Sequence, residues 1–128
     1  MPGKRTIERA QKDARKGKAP STQAGEFVRE EIEHIREGKH GARSTEQAIA
    51  IGLSKARRAG VNLPPPKKGR ASAATRRKAQ KDLKRAGSKP SAKRSAAVRA
   101  ALKNEPHTAA SYSSLSKHAK QVARKRSA

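Results

Sequence analysis

The surplus of positive charge in this sequence is confined to its two ends, and that confinement limits where a core can form. Residues 1–20 carry seven Lys/Arg against two acids, and residues 67–128 carry nineteen against two, Asp82 and Glu105. Residues 21–66 carry seven against six. The net charge of +23 therefore divides into +5, +1 and +17 along the chain. Clustered like charges oppose collapse, so the near-neutral middle is where a fold is expected. The flanks create a field that needs a polyanion, and the abundant polyanion in a cell is nucleic acid.

Only 32% of the residues are hydrophobic and 2% aromatic, a composition that does not sustain a 128-residue globule unaided. With no cysteine, a disulfide framework, a thiolate metal site and a cysteine nucleophile are excluded. The first residues, MPGKRTIERAQKDARKG, lack the apolar stretch of a secretory signal. The longest apolar run, Ala48 to Leu53, is far short of the ~20 residues that span a bilayer. The expected address is the cytoplasm, on the nucleoid.

No segment alternates apolar and polar residues in the manner of a half-buried strand, whereas helical spacing recurs. A first helix is expected over residues 22–37, with Ala24, Phe27, Val28, Ile32 and Ile35 forming one stripe and Gly38 at its C-cap. A second is expected over residues 44–59. Ser44 with Gln47 three residues on fits a capping box, and Gly60 is the stop. Ala48, Ile49, Ile51, Leu53 and Ala56 form its apolar surface, with Val61 and Leu63 folding back over it. The expected class is all-α: an antiparallel helical hairpin with flanking basic, partly disordered helical segments. The organisation is a basic N-terminal arm (1–20), the hairpin (21–63), a Pro-rich linker (64–69) and a basic Ala/Ser/Lys/Arg-rich tail (70–128). A core of about 40 residues is marginal alone, which points to a homodimer through the hairpin. In the tail, weak helices fit residues 72–86, 91–104 and 113–126. Mutual repulsion should keep them partial until phosphates neutralise it.

The nucleic-acid contacts are placed on the tail's basic clusters. These comprise Lys67, Lys68, Arg70, Arg76, Arg77, Lys78, Lys81, Lys84, Arg85, Lys93, Arg94, Arg124, Lys125 and Arg126, together with Lys55, Arg57 and Arg58 on the last turn of the second helix. Lys39 joins them because the connector Gly38–Gly41 has the Gly-x-x-Gly spacing of a phosphate-clamping loop, although the strands of the KH fold are missing. Phe27 and Tyr112 are the only aromatics, too few for stacking single-stranded bases. Contacts should therefore go to phosphate, which positions without specifying, and duplex DNA is favoured over RNA.

Glu31 and His34 form an E-x-x-H pair, a spacing used in di-iron bundles, but the matching partners from other helices are absent. Ser114 to Lys117 fits S-x-x-K without its supporting motifs. No Walker loop, carboxylate pair or nucleophilic triad can be assembled. Neither an enzyme, a cofactor, a metal, a small-molecule substrate nor a membrane partner is expected.

The segment Gln47 to Gly60, QAIAIGLSKARRAG, with the helix and connector before it, resembles a family of small basic bacterial proteins of unknown function. That resemblance implies a bacterial, cytoplasmic protein often labelled DNA-binding, and it carries no catalytic residues. The tail resembles the Lys/Ala-rich tails of bacterial histone-like proteins. The sequence thus points to a non-enzymatic, largely sequence-independent, histone-like or nucleoid-associated DNA-binding protein. The alternatives are an RNA- or ribosome-associated protein, and a protein-interaction module tethered to nucleic acid by its tail.

Overall fold

The computed structural model describes residues 3–66, 72–86 and 92–127, and among them every regular element is helical. They are α1 (Lys4–Arg15), α2 (Pro20–Arg36), α3 (Thr45–Arg58), α4 (Ala73–Lys84), α5 (Ala92–Lys103) and α6 (Tyr112–Ser127), with a short 3-10 turn at Thr108–Ala110 before α6. The protein is all-α. Two compact units form, one from residues 1–30 and 51–89, the other from residues 31–50 and 90–128.

In the first unit, Ala10 of α1, Ala24 and Phe27 of α2, Ala56 of α3 and Val61 form a buried cluster. Ile7, Leu53 and Leu63 pack around it. Residues 4–15 are thus no detached arm. The single face of α1 bearing Thr6 and Ala10 is buried, and it covers apolar surface that the sequence left to a second copy. Gly60 explains how Val61 and Leu63 return onto α3. Its φ of 105° lets Gly60 N–H reach the Arg57 carbonyl and Val61 N–H reach that of Ala56. This is the Schellman closure, in which the residue after the glycine packs back on the helix.

Two carboxylates complete this unit. The residue before α1 is glycine and offers no side-chain cap. Glu30 of α2 supplies one, accepting the Gly3 N–H at 2.9 and 3.1 Å and the Thr6 hydroxyl. A carboxylate at a helix N-terminus satisfies donors that have no intrahelical acceptor and complements the dipole. Asp82 of α4 is buried. It accepts the Ser54 hydroxyl of α3 at 2.7 Å and the Lys78 ammonium at 2.7 Å.

In the second unit, Ile32, Ile35, Ala42, Ala48, Ala109 and Ala110 are buried. Backbone groups do much of the fastening. Gly41 N–H donates to the Leu102 carbonyl at 2.8 Å and Ala42 N–H to that of Pro106 at 3.0 Å. The Thr45 hydroxyl donates to Ala109 O at 2.6 Å, and Arg36 Nε to Ala110 O at 2.9 Å. The cap of α3 is a variant of the expected box. Ser44 Oγ accepts Gln47 N–H at 3.1 Å, but the Gln47 side chain reaches back to Arg43 N–H rather than to Ser44. Glu46 bonds His118 of α6 at 3.1 Å. The carboxyl of Glu46 is held below its usual range, first by its own backbone N–H and then by His118. Folding lowers this pKa, so the contribution is present above the unfolded value and fades as pH falls through the folded one. For so exposed a group it stays below about 1 kcal/mol. In α5 little is covered, and Val98 is 57% exposed.

Two helical glycines provide opposite tests of this packing. A Cβ on Gly25 would meet nothing within 4 Å, whereas one on Gly52 would lie 2.6 Å from Val28 Cα and 2.9 Å from Val28 N. Gly25→Ala should stabilise the protein by about 0.5–1 kcal/mol through helix propensity. Gly52→Ala should destabilise it by about 1–3 kcal/mol, because backbone has to move. Urea denaturation of the two variants measures both signs.

Candidate nucleic-acid interface

A helix separates neighbouring residues by about 100°, so basic doublets in the sequence do not stay on one face. Cations at i, i+3, i+4 and i+7 do. Three such rows lie among exposed residues. On α1 and its cap they are Arg5, Arg9, Lys12 and Lys16; on α4, Arg77, Lys81 and Lys84; on α6, Lys117, Lys120 and Arg124. The row from Arg77 to Lys84 rises about 10 Å, equal to about three phosphates of one DNA strand at ~3.4 Å each.

The expected contact residues do not all have the same role. Arg57 is buried, with Nε donating to Leu63 O and Nη2 to Pro64 O, both at 3.1 Å. Burial lowers its pKa, and the Asp82 carboxylate opposes that shift. Arg57 is therefore a strut that holds the linker on α3, which corrects its assignment as a phosphate contact. Arg76 is half-buried and donates from Nε to Pro66 O at 3.0 Å. Lys78 is exposed but pairs with Asp82. Lys55 and Arg58 are half-buried on the last turn of α3, where a cation also complements the helix dipole. Arg85, Lys93, Arg94, Arg124 and Lys125 are exposed. Lys67, Lys68 and Arg70 lie outside the described residues, as does the side chain of Arg126.

The connector does not present a phosphate cradle. Gly38 N–H is bonded to Ile35 O, Lys39 N–H to His34 O, Gly41 N–H to Leu102 O and Ala42 N–H to Pro106 O. Donors already paired inside the protein cannot also clamp an anion. Lys39 itself is exposed and lies 3.3 Å from Glu37, and His40 turns inward.

The doublet reading missed Arg5, Arg9, Lys12, Lys16, Lys117 and Lys120. Their signal was present as helical periodicity, hidden because each residue is isolated or shares a segment with acids. The two aromatics give little stacking surface. Phe27 is in the core, and the exposed ring of Tyr112 carries the Arg36 guanidinium 4.5 Å from its centre.

No helix among the described residues is long and apolar enough to cross a membrane. Residues 2–68 match the sequence profile of DUF6496, a family of unknown function. This is just over half the chain, so the protein belongs to that family. The match takes in α1, α2, α3 and all but the last residue of the linker, and α4 to α6 lie beyond it. No curated protein and no solved structure matches the chain.

Asp82 is one of only two acids in residues 67–128, and it fixes which face of α4 looks outward. Asp82→Ala should cost about 1–3 kcal/mol, since it leaves the half-buried Ser54 hydroxyl without its acceptor. Amide hydrogen exchange should accelerate along α4 and stay unchanged in α6.

Proposed function

We propose that this member of DUF6496 is a non-enzymatic protein that binds duplex DNA with little sequence preference, as a nucleoid-associated protein does. The observation that carries this reading is the arrangement of exposed cations into straight rows on α1, α4 and α6. Each row can run along a phosphate backbone, neutralising charges and releasing condensed counterions. The scarcity of available aromatic faces argues against single-stranded ligands. The chemistry offered is charge neutralisation, which fixes position on the duplex without reading bases.

The test is a titration of the full chain with duplex DNA, single-stranded DNA and structured RNA over a series of salt concentrations. Duplex should bind tightest, with a log–log salt slope of about −7 if ~8 phosphates are neutralised. Replacing Arg77, Lys81 and Lys84 together with Gln should make the slope shallower by about 2.7, since each phosphate left without its cation removes about 0.9. The same should hold for Lys117, Lys120 and Arg124. Comparable weak binding to all three ligands at physiological salt would overturn the proposal, as would slopes that ignore both triple substitutions. A clear preference for structured RNA would transfer the rows to that ligand.

A further inference from the structure

The E-x-x-H pair on α2 gains a third member from the connector. Glu31 is fully buried. His34, one turn on, places Nδ1 3.8 Å from Glu31 Oε1, and His40 places Nε2 3.1 Å from Glu31 Oε2. The two imidazole rings are 6.2 Å apart and nearly perpendicular, at 79°. One ligand atom from each of the three residues lies within 4.8 Å of the others.

We propose that Glu31, His34 and His40 bind a divalent first-row transition-metal ion, with zinc the best-suited ion. Three observations carry this. The first is spacing. In a tetrahedral site with bonds of about 2.0–2.1 Å, ligand atoms stand about 3.4 Å apart. The separations of 3.1 and 3.8 Å, each to a different oxygen of Glu31, bracket that value. One ligand atom from each residue already lies within 4.8 Å of the others, and rotation of the exposed edge of His34 closes the set.

The second is the tautomer of His40. Its Nδ1 lies 2.9 Å from the Gly41 carbonyl, which can only accept, so Nδ1 carries a proton. In the neutral ring Nε2 then presents a lone pair to the Glu31 carboxylate, and two acceptors face each other at 3.1 Å. A positive charge between them resolves the repulsion, either a second ring proton or a metal ion, and titration with zinc separates the two. A backbone carbonyl recurs in metal sites as the group that fixes the far nitrogen of a ligating histidine.

The third is that the connector is held from outside the site. Gly38 turns the chain with a φ of 79°, and the Gly41 and Ala42 N–H groups are bonded to Leu102 and Pro106. These bonds fix the two residues that follow His40, and a Cβ on Gly41 would collide with the Glu105 carbonyl. The position of His40 against α2 is built into the backbone.

Two imidazoles and one carboxylate suit zinc and its neighbours, whereas magnesium and calcium favour all-oxygen sets. The side chains of His34 and His40 are 23% and 11% exposed, so water can complete the coordination. The bound ion would clasp the end of α2 to the connector.

The experiment uses the full chain, freed of nucleic acid and dialysed against a chelator. Calorimetric titration with Zn2+ should give one equivalent per chain, and Co2+ should develop the strong visible bands of a four-coordinate ion, with Mg2+ silent. His34→Ala and His40→Ala should each weaken zinc binding at least about 100-fold, since removing a group that merely orients a ligand already costs about 10–100-fold. His107→Ala and His118→Ala, which remove the other two histidines, should leave it unchanged. Excess zinc should raise the melting temperature of the parent chain and not of the binding variants. Should the histidine variants fail to fold by circular dichroism, the nearly isosteric Glu31→Gln carries the same expectation. No saturable binding at micromolar zinc overturns the proposal, and so does equal dependence on all four histidines. Either outcome leaves the contacts of Glu31 with His34 and His40 as purely structural ones.

Discussion

Every helix added to this chain brings cations that repel those already in place, and there is little apolar area to offset them. Phe27 and Ile35 are the only large apolar side chains among the described residues that are fully buried, and alanine supplies most of the remaining core. The fold therefore relies on buried carboxylates. Glu30 caps α1 from α2, Asp82 draws α4 onto α3, and Glu31 faces two imidazoles. Glu30 and Asp82 sit where a donor or cation would otherwise go unmatched. A buried acid is costly alone but stabilising once its oxygens are bonded. Two of the ten acids of the chain are used in this way, and Glu31 is buried against two imidazoles.

The helices α2 and α3 were legible in the sequence because their apolar spacing, their glycine stops and the Ser44 cap agree with one another. Their bounds moved by only one or two residues. The role of α1 was not legible. Ile7 and Ala10 are too few to make an apolar stripe, and the cap that holds this helix comes from Glu30, far along the chain. Sequence pattern registers local agreement, and this contact is not local. The same is true of Arg57. A cation on a final helical turn looks like a surface group until the linker carbonyls of Leu63 and Pro64 are seen to cover it. His40 looked like part of a phosphate loop because the bonds that turn it inward are made with residues 102–106.

Charge was legible in amount and less so in arrangement. Counting doublets locates the basic segments, but a helix redistributes them by angle. Arg76 and Arg77 are adjacent in the chain, yet one leans on Pro66 while the other joins an exposed row. Isolated cations such as Lys117 and Lys120 acquire neighbours only once the helical turn is drawn. The layout of the cationic surface is thus set by periodicity more than by composition.

The fastening of residues 102–110 has a consequence for sequence drift. Leu102, Pro106, Ala109 and Ala110 each offer a main-chain carbonyl to a donor elsewhere. An acceptor of this kind is indifferent to the letter at its position, and even proline, which has no N–H to give, serves at residue 106. The donors are less replaceable, being an N–H that proline would remove at positions 41 and 42, a hydroxyl at Thr45 and a guanidinium at Arg36. The attachment therefore divides into a permissive half and a strict half. Substitutions can accumulate at exposed positions of the tail without loosening it, provided the residues around the connector and the buried Ala109 and Ala110 are kept.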